Sequence, residues 1–165
     1  MVENTDEVLA VLGNLDFPKI FSEIVKGNIP DTLKASCQSP RAYFVFRDEI
    51  SRRFADTEGW VPLWESNRDF IKIFDVCSGL FFECSLEDFS CKVIAKNYQQ
   101  FVTYFFLELI YAGEWDRLKE LSDIFSYDYL RELVLFAEGF SGDNYLEESR
   151  EFIDKVGAKG AGDES

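Results

Sequence analysis

The chain has 165 residues and carries 17 Lys and Arg against 31 Asp and Glu, a formal charge of −14. A single domain of this length buries roughly 70% of its unfolded surface and folds without disulfides or a structural metal, and 47% apolar residues with 17 Phe supply a core and exclude disorder. The sequence has no His, which excludes Ser/His/Asp, Cys/His and His-ligated metal chemistry, while the acid excess argues against phosphate backbones and anionic membranes and favours a cationic partner.

In chain order, the acidic start Met1 to Glu7 lacks the apolar h-region of a secretory signal, and no apolar run of about 18 residues follows. The expectation is a soluble cytoplasmic protein. Val8, Leu9, Val11 and Leu12, then Phe17, Ile20, Phe21, Ile24 and Val25 behind Asp16 and Pro18, recur at helical spacing and stop at Gly27-Asn28. A polar connector runs from Ile29 to Pro40. The aromatic and β-branched run Tyr43-Phe44-Val45-Phe46 predicts a strand, and the charged stretch Arg47 to Glu58 fits either a short helix or a loop.

Gly59-Trp60-Val61-Pro62-Leu63-Trp64-Glu65 predicts an edge strand, because Pro62 has no N–H to give a central ladder. After the turn Ser66 to Asp69, Phe70 to Val76 alternates with a period of two, turns at Cys77-Ser78-Gly79 and returns as Leu80 to Cys84. These short loops predict an antiparallel β-meander. The period then changes: Tyr98, Phe101, Val102, Phe105, Phe106, Leu109 and Ile110 mark a helix from Ala95 to Ala112, closed by Gly113 and expected to pack across the sheet. Shorter helices are predicted over Trp115 to Ile124, over Tyr127 to Glu138 with Ser126 as N-cap, and over Asn144 to Val156. The expected class is α+β, a small antiparallel sheet packed against several helices, as one domain over 1–156 with a Gly/Ala-rich flexible tail over 157–165.

Chemistry-bearing motifs are sparse. Cys37, Cys77, Cys84 and Cys91 form no CxxC pair, and the sequence treats them as small buried thiols. Adjacent acids such as Asp48-Glu49, Glu87-Asp88 and Glu147-Glu148 point in different directions on a helix or strand, which suits a solvated surface better than acid/base catalysis. Gly157 to Gly162 lacks the strand, helix and Gly-Lys-Ser/Thr ending of a phosphate loop. No catalytic residue, metal or cofactor is therefore assigned. Residues 111–165 hold 14 Asp and Glu against 6 Lys and Arg, so the negative surface is concentrated toward the C-terminal helices.

The Gly59-Trp60-Val61-Pro62 strand, the strand ending in Asp75, the Ser78-Gly79 turn, the strand Leu80 to Glu83 and the helix Tyr98-Gln99-Gln100-Phe101-Val102-Thr103-Tyr104-Phe105-Phe106 together resemble the SUKH superfamily. The resemblance covers residues 59 to about 112, with Leu15 to Phe21 and Gly27-Asn28 as loose counterparts of the family's N-terminal motifs. It implies a non-catalytic immunity protein that binds and neutralises a toxin domain, with a basic nuclease as the partner that charge complementarity would favour. A regulatory adaptor of the same fold is the alternative, and a small carboxylate-based hydrolase a third reading. Candidate contacts are either the acids flanking the sheet, Glu65, Asp69, Asp75, Glu83, Glu87 and Asp88, or the C-terminal acids Glu147, Glu148, Glu151 and Asp154.

Overall fold

A four-stranded antiparallel sheet, in the order β1-β2-β3-β4, organises the first of two compact units, 1–94 and 95–165. The computed structural model describes residues 2–67, 69–140 and 144–157. The chain is α+β. Arg68 of the expected polar turn and residues 158–165 of the expected tail lie outside the described residues.

In the first unit, β1 (Trp60–Ser66), β2 (Phe70–Asp75) and β3 (Phe81–Ser85) form the meander. Pro62 lies on the outer strand, where its missing N–H costs no ladder bond. The register shifts between Pro62 and Trp64, and the extra residue reverses which face the following side chains occupy. Trp64 thereby pairs with Lys72, whose partner on β3 is Glu83, and Glu65 pairs with Ile71.

Both faces of the sheet are covered, which is why β1 is buried along its whole length. On one side Phe17 meets Phe74 and Phe21, and Phe21 meets Trp64, with ring centroids 5.0, 5.2 and 5.7 Å apart. Phe21 belongs to α2 (Ile20–Lys26), and α1 (Thr5–Gly13) packs beside it. Pro18 separates the two helices, and Gly27 ends α2 in the left-handed conformation. On the other side Phe54, the C-cap of α3 (Arg41–Arg53), packs on Trp60, which packs on Phe82.

Helix α3 corrects the expected strand at Tyr43 to Phe46. Tyr43 and Ile50 are its buried positions, seven residues apart, while Val45 faces solvent. The aromatic run therefore belongs to a two-turn helical stripe. The fourth strand, β4 (Cys91–Ala95), follows where the sequence marks no strand, and it takes up Ala95, the expected first residue of the long helix, which begins at Tyr98 instead. A disulfide joins Cys84 to Cys91 across β3 and β4, which corrects the expectation of thiols at these two positions. Cys37 is buried and Cys77 is an exposed thiol.

In the second unit, α4 (Tyr98–Tyr111) buries Phe101, Phe105, Phe106, Leu109 and Ile110 as its stripe predicts. Asn97 caps it by accepting the Gln100 N–H at 2.9 Å. Gly157 closes over this cap, where a β-carbon would meet Asn97 Nδ2 at 2.8 Å. A 3₁₀ turn, Trp115–Arg117, leads into α5 (Leu118–Ile124), followed by α6 (Leu130–Glu138) and α7 (Tyr145–Lys155). Ser126 is not the N-cap of α6: it has φ 49°, and the helix begins at Leu130 behind Tyr129. The intervening residues instead lock onto α4, with Tyr127 Oη and Thr103 Oγ1 2.7 Å apart and Gln99 Nε2 donating to Ser126 O at 3.1 Å.

Candidate protein-docking surface

The acids expected to flank the sheet divide into inward and outward groups. Glu65 is buried on the α3 side, and its Oε1 accepts the Ala42 N–H at 2.5 Å. Pro40 at the helix entrance makes no side-chain capping bond, so a carboxylate from β1 supplies the acceptor and sits at the positive end of the helix. Asp75 is also buried. Its carboxylate accepts the Cys77 and Ser78 N–H groups at 3.1 and 3.2 Å and the Ser78 hydroxyl, which fixes the β2–β3 turn.

Glu83 faces Lys72, which is fully buried, and also meets Lys92 Nζ at 2.9 Å. Burial pushes the Glu83 carboxyl up, but the charges and hydrogen bonds of Lys72 and Lys92 outweigh it and hold the group below its ordinary range. Glu65, Asp75 and Glu83 thus have internal partners and present little surface. Asp69, Glu87 and Asp88 are exposed. Hydrogen bonds from the Ser90 backbone and hydroxyl lower the Asp88 pKa and tie that carboxylate to its own turn.

The C-terminal acids differ. Glu147, Glu148, Glu151 and Asp154 are all exposed along α7. Asp154 approaches Lys96 Nζ at 3.6 Å, whereas Glu147, Glu148 and Glu151 form no ion pair among the described residues. Their sequence order explains the exposure: α7 turns Ser149 and Ile153 inward, and the acids occupy the remaining arc. Reading charge alone passes over the aromatic residues Phe136, Phe140, Tyr145 and Phe152 of the same region, whose clustering over 136–152 is the signal the sequence does carry.

Among the described residues no group of three or more His, Cys, Asp or Glu is placed to hold a metal ion, and no helix is long and apolar enough to cross a membrane. Compared with models of known families, with curated proteins and with solved structures, the chain matches none.

Proposed function

We propose that the protein is a non-catalytic binding module that docks a cationic protein through its exposed acidic surface, and specifically an immunity protein that neutralises a basic toxin domain. The observation that carries this reading is the different disposition of the acids. Those of the sheet interior are used up by a helix end, a turn and a buried lysine, while Glu147, Glu148 and Glu151 extend into solvent with no ion pair among the described residues. Carboxylates in that state cost little desolvation until a partner supplies the charge, and their summed field speeds association with a cationic surface. The SUKH resemblance supplies the toxin as the partner, and a nuclease toxin has to present a positive groove to phosphate.

The test is co-expression with the product of the neighbouring reading frame. Growth arrest caused by that product alone and relieved by this chain supports the reading. Arrest that persists despite a soluble, folded chain counts against it, as does substrate turnover by the purified protein.

A further inference from the structure

The second unit leaves a row of aromatic rings half-buried at its surface. Phe152 of α7 stacks on Phe136 of α6 with centroids 4.5 Å apart and planes 13° from parallel. Phe136 lies 6.5 Å from Phe140, Phe140 meets Tyr145 edge-on at 5.9 Å, and Tyr145 meets Tyr111 of α4 at 4.9 Å. Phe136, Phe140 and Phe152 are each only partly covered, Tyr111 and Tyr145 are 45% and 39% exposed, and Leu146 beside them is 69% exposed. Rings of this size contribute most when fully removed from water, so a continuous half-covered seam has apolar area still to bury.

Charge selects what covers it. Glu132 precedes Phe136 by four residues and Glu148 precedes Phe152 by four, so each carboxylate lies on the same helix face as its ring. Glu151 extends this rim, and all three acids are exposed without an ion pair among the described residues. Arg131 and Arg150 fall about 140° and 200° around their helices from Phe136 and Phe152, which leaves Lys155 as the cation of α7 on the seam side. Aromatic faces with a carboxylate beside them match a guanidinium, which stacks on the ring and hydrogen-bonds the acid.

We propose that the α6–α7 seam is the docking site for an arginine-bearing amphipathic segment of the partner protein. Its arginines lie over Phe136 and Phe152 against Glu132, Glu148 and Glu151, and its apolar side chains cover Tyr145 and Leu146. This rests on the acidic-surface reading and deepens it by naming the face and the partner's chemistry.

The experiment uses the full chain with a synthetic helical peptide carrying Arg and Leu at alternating i and i+3/i+4 positions, and a twin in which citrulline replaces each Arg. Binding is followed by calorimetry and by aromatic carbon-13 shifts. The Arg peptide should bind with shifts confined to α6, α7 and Tyr111, and the neutral twin should bind at least ten-fold more weakly. The surface triple variant Glu132→Gln, Glu148→Gln, Glu151→Gln should lose about ten-fold in affinity. Phe152→Leu, which keeps an apolar side chain and removes the ring, should lose about three-fold, with unchanged circular dichroism in each case. Equal binding of the twin, shifts outside the seam, or a dimer in sedimentation whose interface occupies the seam overturns the proposal. A basic nuclease domain serves as a second probe. If it binds while the peptide does not, this site is refuted and the acidic-surface reading survives; if neither binds, both fall.

Discussion

Gly59 sits where no side chain fits. A β-carbon there would overlap the Asp75 carboxylate and lie 2.6 Å from Cys77 Sγ. Gly59→Ala must therefore displace the acceptor that holds the β2–β3 turn, and the expected cost is about 1–3 kcal/mol in urea denaturation. An unchanged midpoint would show that the turn yields freely. Glu83 carries a pH signature. Its folded pKa lies below the ordinary 4.5, so the unfolded chain takes up this proton first as pH falls. The stabilisation is complete above about pH 4.5 and disappears as pH drops through the depressed folded value. Glu83→Gln removes the carboxylate facing the buried Lys72 ammonium, for an expected loss of about 3–5 kcal/mol at neutral pH. The double variant with Lys72→Met should recover much of it, and a double variant as unstable as the single one would refute the pairing argument.

At the scale of elements, the disulfide decides how firmly β4 is held. Cys84 and Cys91 close a loop with a sequence separation of 7, for which the chain-entropy account gives about 2–3 kcal/mol. Reduction should lower stability by that amount, and denatured unreduced protein should expose two reactive thiols, Cys37 and Cys77, and not four. Four thiols without reductant would refute the bridge. Disulfides persist in oxidising compartments, so this bond and the expected reducing cytoplasm pull in opposite directions.

The same elements show where the sequence is readable. The alternation of Phe70 to Asp75 and the heptad-like stripe of α4 each admit one period, and both elements form where that period places them. Tyr43 to Phe46 is too short to distinguish two periods, and its β-prone residues are overridden by Ile50 a turn and more downstream, by Glu65 at the helix entrance and by Arg52 and Arg53 in the last turn. That entrance contact depends on the bulge between Pro62 and Trp64, which turns Glu65 toward α3. Pro62 fits an edge strand as well as a bulge, so the sequence cannot place the register shift or separate Glu65, with its internal partner, from Glu147 on the surface. β4 escapes because Val93, Ile94 and Ala95 are consecutive apolar residues and break the two-residue alternation, although only the last two are buried.

At the scale of the whole molecule, the charge of −14 has two consequences with opposite salt dependence. Mutual repulsion among the acids destabilises any compact state, and added salt relieves it by shrinking the Debye length to about 10 Å at 0.1 M. The melting temperature should therefore rise as NaCl increases from about 20 mM toward 0.3 M. Docking of a cationic protein responds the other way, because screening removes the long-range attraction that brings the partners together, and association should slow over the same range. The two measurements together separate two uses of the same charge. A surface that is acidic only to stay hydrated shows the rise in melting temperature and no salt-sensitive association with a basic nuclease domain. A docking surface shows both. Glu132 and Glu148 lie in the first turns of α6 and α7, where the helix dipole favours a carboxylate, so the separating variant is Glu151→Gln, which should raise the melting temperature at low salt while weakening association. The same substitution improves stability and impairs binding only if this acid is held unpaired for a partner. A Glu151→Gln variant that loses stability would mean that this carboxylate already has work inside the fold.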